Sequence, residues 1–115
     1  MNTVSAGKGK YEIFVDYKQV GNDLLIIIRG GKEHIGSITA CFDNDQSMNN
    51  IVRKGHKDDV ISKQAAINLR NRYGLNTVVL CGIHIDNADD SEISILVNNS
   101  LTAIERIKLW KRNKF

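Results

Sequence analysis

The stretch Leu24-Leu25-Ile26-Ile27-Ile28-Arg29-Gly30-Gly31-Lys32-Glu33-His34-Ile35-Gly36 sets an uninterrupted apolar run against a turn holding three glycines and a histidine. Five consecutive apolar residues leave neither face of a strand polar, so a strand here needs cover on both sides. Helices can supply one side and a second copy of the chain the other, which makes a homodimer the expected assembly. The turn is read differently. Glycine tolerates positive φ and lets another group approach the backbone, so its density over 30–36 marks either a demanding turn or a ligand-facing loop. Composition alone leaves both open.

Upstream, Tyr11, Ile13, Val15 and Tyr17 alternate with Glu12, Asp16 and Lys18 as a half-buried strand, with Phe14 the exception on the outer face. Gly21-Asn22-Asp23 supplies turn chemistry, so this strand and the Leu24 run form an antiparallel hairpin. Downstream, Ile35 to Phe42 places Ser37, Thr39 and Cys41 on one face of a strand and Ile38, Ala40 and Phe42 on the other. Met48, Ile51 and Val52 permit a further, edge strand within 47–53. A helix starts at Asp58 as N-cap, repeats Ile61, Ala65 and Leu69, and stops at Gly74. Thr77 to Ile85 reads as an interior strand. Asp89 and Glu92 stand at capping-box spacing before a second helix with the stripe Ile93, Leu96, Val97, Leu101, Ile104 and Ile107. The predicted order is β-β-β-β-α-β-α, an α+β fold whose mostly antiparallel sheet carries two helices on one face.

A chain of 115 residues fits one domain, expected over 10–115 behind a flexible leader at 1–9. No apolar run nears the roughly 20 residues that cross a bilayer, and the start of the chain lacks a signal-like apolar segment, so no membrane is expected and a cytoplasmic location is. Cys41 and Cys81 lie inside predicted strands without a Cys-x-x-Cys partner and read as reduced core thiols. The net charge of +3 sits largely in Arg106, Lys108, Lys111, Arg112 and Lys114, the expected basic end of the last helix. Aromatics do not interleave with these cations, so no nucleic-acid partner is expected.

All three histidines stand beside glycines at element ends: His34 in Gly-Lys-Glu-His-Ile-Gly, His56 in Gly-His-Lys-Asp-Asp and His84 in Gly-Ile-His-Ile-Asp. On one strand His84 and Asp86 point to the same side as Gly82, leaving an open floor beneath an imidazole and a carboxylate. Three readings compete. Histidine and aspartate tie down turns by bonding backbone groups; or His34, His56, His84 and Asp86 supply ligands to a divalent metal; or an anionic small molecule is held by histidines, Lys32 or Lys57 and glycine amides. No His-Glu-x-x-His spacing, Walker loop, Gly-x-Gly-x-x-Gly or nucleophile elbow is present. Asp58 and Asp59 occupy the positive end of the first helix and would repel a phosphate there unless Lys57, Arg53 or a cation intervened. Both adjacent acid pairs, Asp58-Asp59 and Asp89-Asp90, read as helix-start capping residues.

Taken in order, Gly30-Gly31-x-x-His34-Ile35-Gly36, Gly55-His56-Lys57-Asp58-Asp59 and Gly82-Ile83-His84-Ile85-Asp86-Asn87-Ala88 resemble the prenylated-flavin chaperone-like family, the small D subunit of non-oxidative hydroxyarylic-acid (gallate-type) decarboxylases. The resemblance spans about Tyr11 to Ile107. It implies a non-catalytic, dimeric α+β protein, similar in architecture to proteasome-assembly chaperones, that binds prenylated flavin mononucleotide (FMN) and helps deliver it to a decarboxylase subunit. Gly30, Gly31, Lys32, His34, Gly36, His56, Lys57, His84 and Asp86 are then the cofactor-binding set. The histidines and glycine surfaces would serve the ring system, Lys32 or Lys57 the phosphate, and a metal on His34, His56 and His84 could bridge to the cofactor. From other classes, the same residues would suit a histidine-based metalloenzyme acting on a small substrate, or the apolar strand faces a pure assembly scaffold.

Overall fold

The computed structural model of the protein describes residues 1–42, 48–54 and 58–109. Six strands and two helices follow one another as β1 (Asn2–Ala6), β2 (Ile13–Val20), β3 (Asp23–Gly31), β4 (Ser37–Cys41), β5 (Asn49–Val52), α1 (Asp59–Tyr73), β6 (Asn76–His84) and α2 (Asp90–Glu105), with one 3-10 turn at Gly9–Tyr11. The strands form a single sheet in the order β1-β2-β3-β6-β4-β5. Only β3 and β6 run parallel; every other neighbouring pair is antiparallel. The expected α+β class holds, with β6 inserted between β3 and β4. The edge strand expected within 47–53 is β5.

The expected leader corrects to structure. Val4 and Ala6 pair with Val15 and Ile13, so residues 2–6 extend the sheet as β1 and bury Ala6 in the core. The segment is short and largely polar, and a strand bonded on one side needs apolar residues only where it faces the helices.

One face of the sheet is the core. In register across it lie Val15, Ile28, Cys81 and Ser37, with Ile13, Ile26, Val79 and Thr39 alongside, all buried. Helix α1 covers the β6–β4 half through Ile61, Ala65, Ala66 and Leu69, and α2 covers the β1–β2 half through Leu96, Ala103 and Ile104. Ser37, Thr39 and Ser62 are polar members of this core. The Ser62 hydroxyl bonds those of Ser37 at 2.9 Å and Thr39 at 2.7 Å, and Thr39 donates to Asn50 Oδ1 at 2.6 Å. Buried hydroxyls that satisfy one another cost little and pin α1 to β4 in one register.

Helix ends follow local chemistry with two exceptions. Gly74 closes α1 at φ 66° and donates its N–H to the Arg70 carbonyl, and Asp89 and Glu92 complete the reciprocal capping box of α2. Asp58 holds the N-cap position of α1, yet its side chain makes no cap bond. The second exception is the basic end expected for the last helix. Helix α2 ends at Glu105, so Lys108 lies past it, and Lys111, Arg112 and Lys114 lie outside the described residues. Ile107 is still fully buried beyond the helix, whereas Ile93 of the expected stripe is 46% exposed. Cys41 and Cys81 are free thiols in the core; burial, reinforced by the nearby Asp58 charge, pushes the Cys81 thiol well above its ordinary range.

Leu69 is fully buried between α1 and the sheet. Leu69→Ala should therefore cost about 2–5 kcal/mol in urea unfolding, through lost transfer energy and a residual cavity. A change under about 1 kcal/mol would mean that α1 does not pack on the sheet as described.

Candidate functional site

Because β6 lies between β3 and β4, residues 32–36 must carry the chain from one side of β6 to the other. They do so across Gly82. A Cβ on Gly82 would collide with the His34 carbonyl, so the bare backbone of β6 is what lets the loop lie flat against it. Lys32 N–H donates to the His84 carbonyl at 2.9 Å on the β3 side, and Gly36 N–H donates to the Cys81 carbonyl at 2.8 Å on the β4 side. Gly31 turns the chain into the crossing at φ 61°, a conformation that other residues adopt only with strain.

Gly82 thus has its structural role, but the expected open floor does not exist: the His34 main chain fills it. The consequence is a meeting of two histidines far apart in sequence. The rings of His34 and His84 lie edge to face with centroids 6.3 Å apart. His34 is the enclosed member, with its side chain 17% exposed against 49% for His84.

Each imidazole has its own carboxylate. His34 Nδ1 lies 3.1 Å from the Lys32 carbonyl and Nε2 lies 3.3 Å from Asp58 Oδ2. Both acceptors are satisfied together only with a hydrogen on each ring nitrogen, since a carbonyl and a carboxylate can only accept. Asp58 is itself 7% exposed, and its other oxygen accepts the Ile83 N–H at 3.0 Å. That N–H follows the point where β4 ends, so Asp58 takes over the β6 ladder where no further strand residue can. His84 Nε2 meets Asp86 Oδ1 at 2.9 Å, and Lys32 Nζ donates to Asp86 Oδ2 at 2.8 Å, all on the exposed rim. The Lys32 ammonium, then the His84 ring, holds the Asp86 carboxyl below the usual carboxylate range. Arg53 closes the β4 side, donating from its guanidinium to the Ile35 carbonyl and from its N–H to the Gly36 carbonyl.

Lys32, His34, His84 and Asp86 are therefore brought together, with Gly31 and Gly36 packed beneath them. Gly36 lies against the Asp58 carboxylate and the His34 ring. Gly30 stands apart: it faces the helix-side core, where a Cβ would meet Ile13 Cδ1. His56 and Lys57 lie outside the described residues. Among the described residues no three His, Cys, Asp or Glu side chains are placed to hold a metal. Asp58 is a site residue whose side chain departs from the capping role expected of it, and the sequence does not mark it out, since Asp89 stands before Asp90 in the same way and does cap its helix.

Gly82→Ala should push the 32–36 crossing off β6, costing about 1–3 kcal/mol and abolishing the nuclear Overhauser contact between the His34 and His84 rings. An unchanged contact would show that the crossing does not depend on the missing side chain. For Asp86, a folded-state pKa below its unfolded value means that its ion pair stabilises above about pH 4 and is lost as pH falls through the folded value. Carboxyl-detected NMR should find Asp86 titrating below about 3.9, and Lys32→Ala should move that midpoint upward.

The comparisons with known proteins bear on the family and the fold. Residues 7–112 match the model of the prenylated flavin chaperone LpdD-like domain. Among solved structures, a chain from a chaperone complex for yeast 20S proteasome assembly superposes with a TM-score of 0.55 at 16% identity, covering 91% of this chain and 90% of that one. At that identity the likeness is one of fold. A search of curated protein sequences finds no match. With the family model spanning nearly the whole chain, from before β2 to beyond α2, this protein belongs to the prenylated flavin chaperone LpdD-like family.

Proposed function

We propose that the protein is a non-catalytic carrier that binds prenylated FMN at the His34–His84 rim and presents it to a hydroxyarylic-acid decarboxylase. The observation that carries the reading is the convergence of His34, His84, Lys32 and Asp86 on one crossing loop within a chain of this family. These residues fit the cofactor's chemistry. The exposed His84 ring can lie against the flavin ring system while the enclosed His34 holds the loop beside it, and Lys32 and Arg53 flank the loop as cations for a phosphate. Gly31 and Gly36 let the loop pack against the His84 main chain and the Asp58 carboxylate, which sets Lys32 and His34 beside His84. When bound, the prenylated flavin would supply the electron-sink chemistry of decarboxylation to its client enzyme, while this chain binds and orients it.

His34 bonds the Lys32 carbonyl and Asp58, Asp58 also accepts the Ile83 N–H, and the buried Cys81 thiol is held in its protonated form. A carrier needs an immobile half to fix the ligand and an exposed half to release it, and the graded exposure from Asp58 to Lys32 provides both.

Protein produced together with a flavin prenyltransferase should retain a chromophore identifiable as prenylated FMN by mass. His34→Ala and His84→Ala should each weaken retention about tenfold or more, the equivalent of about 1.4 kcal/mol of lost binding, while the circular dichroism spectrum stays unchanged. Full retention in the double variant would reject the site.

A further inference from the structure

On the face of the sheet turned away from the helices, Phe14, Arg29 and Gly82 stand side by side in register on β2, β3 and β6. Gly82 is the residue that the 32–36 crossing lies on, so Arg29 stands at the flank of the crossing. The chain leaves β3 two residues later, turning at Gly31. A strand that simply continued would carry residue 33 about 13 Å beyond Arg29. The turn instead returns it, and Arg29 Nη1 donates to Glu33 Oε2 at 2.7 Å. Arg29 is thereby bonded to the residue between Lys32 and His34.

The guanidinium is itself fixed. Its Nε donates to Asp16 Oδ2 at 2.8 Å and its Nη2 to Asp16 Oδ1 at 3.3 Å, a two-point contact of the planar fork on one carboxylate. The Phe14 ring lies beneath it, with its centroid 4.9 Å from the guanidinium carbon. Asp16 also accepts the Thr3 hydroxyl at 2.7 Å, so the line of polar contacts begins on the edge strand β1 and crosses β2 and β3 to reach the loop over β6. Asp16 and Arg29 are half-buried, and the Glu33 side chain is 51% exposed. An exposed ion pair contributes little when two long side chains must both be ordered to form it. Here the strands have already ordered one of them, and only Glu33 has freedom left to lose.

We infer that Arg29 is a positioning residue for the rim: its fork, fixed by Asp16 and Phe14, holds Glu33 and thereby sets the crossing loop that presents Lys32 and His34. Arg53 holds the same loop from the β4 flank, through the Ile35 and Gly36 carbonyls. Two arginines grip opposite flanks, one on a side chain and one on the main chain. Lysine is no substitute for Arg29, because a single ammonium does not present a planar fork to Asp16 and a further N–H to Glu33 in fixed directions. The consequence for ligand binding rests on the carrier function proposed above; the placement of the loop does not.

Glu33→Ala separates placement from charge, since the exposed Glu33 can be removed with the Arg29–Asp16 pair intact. Without cofactor, amide hydrogen exchange at Lys32 and Gly36, whose N–H groups bond β6, should speed up about three- to tenfold relative to the Ile26 and Leu80 amides in Glu33→Ala and in Arg29→Gln. Arg29→Lys should behave as Arg29→Gln does. Retention of prenylated FMN should fall several-fold in Glu33→Ala, although removing a carboxylate beside an anion would by charge alone raise it. The double variant Arg29→Gln/Glu33→Ala should lose no more than the larger single loss, as expected when both changes break one contact. Loop amides that keep their wild-type ratio to the core in Glu33→Ala overturn the inference. So does a responsive loop with full retention in both single variants, or rescue by Arg29→Lys, which would make Arg29 a charge alone. Tighter retention in Glu33→Ala beside weaker retention in Arg29→Gln would make Arg29 a cation for the ligand and overturn it as well. A responsive loop in a wild-type chain that retains no prenylated flavin would uphold the placement and refute the carrier function.

Discussion

The passage of residues 32–36 over the bare backbone of Gly82 is the constraint from which the site follows. Consecutive strands usually neighbour each other, but here β6 is inserted between β3 and β4, and the chain must step over it. Stepping over a strand threatens to desolvate backbone groups on both levels. The loop answers with one hydrogen bond on each side of β6, Lys32 to His84 and Gly36 to Cys81, and with no side chain at the point of closest approach. The crossing therefore brings the His34 imidazole beside His84, and a topological necessity becomes a two-histidine cluster at the C-terminal ends of the only parallel strand pair among the described residues. Such strand ends are where open sheets most often receive ligands.

The same crossing explains why α1 matters to the site despite contributing one residue. The hydroxyl bonds among Ser37, Thr39 and Ser62 fix the helix on β4, and that placement delivers Asp58 to the vacancy at the end of the β4–β6 ladder. Once there, the carboxylate bonds Ile83 N–H and His34 together, so sheet, helix and loop share one buried anion. A buried carboxylate is tolerated when its oxygens accept hydrogen bonds, and the arrangement couples the packing of α1 directly to the orientation of the His34 ring.

Much of this was legible in the residues. Alternation over Ile13–Tyr17, the run Leu24–Ile28, the Gly74 stop and the Asp89–Glu92 box each report a local rule that the fold obeys, whereas Tyr11, expected to open the same strand, belongs to the 3-10 turn before it. β1 escaped because Asn2–Ala6 is polar and short, and its only apolar demand is set by β2, an interaction that local pattern does not encode. The position of β6 escaped for the same reason. The run Thr77–Ile85 announced an interior strand without saying between which partners, and without that order Gly82 looked like open space rather than a crossing. Asp58 was misread because it stands where caps stand. Its backbone at φ −65°, ψ −17° is helical rather than extended, which carries the carboxylate away from the N–H groups a cap would serve.

The rim combines two kinds of polar pair, and for the proposed carrier the difference bears on how an anion would be held and released. His34–Asp58 is enclosed and shares Asp58 with a backbone N–H, so separating the two takes a hydrogen-bond partner from a buried carboxylate. Lys32–Asp86 is open to water on both sides, where an ion pair is screened and contributes little. In the proposed carrier an arriving phosphate would take Lys32 from Asp86 at small cost, and Asp86 would keep the His84 contact. The enclosed pair fixes geometry and the exposed pair yields. A site built only of the first kind would hold its ligand too long for a carrier, and one built only of the second would not orient it.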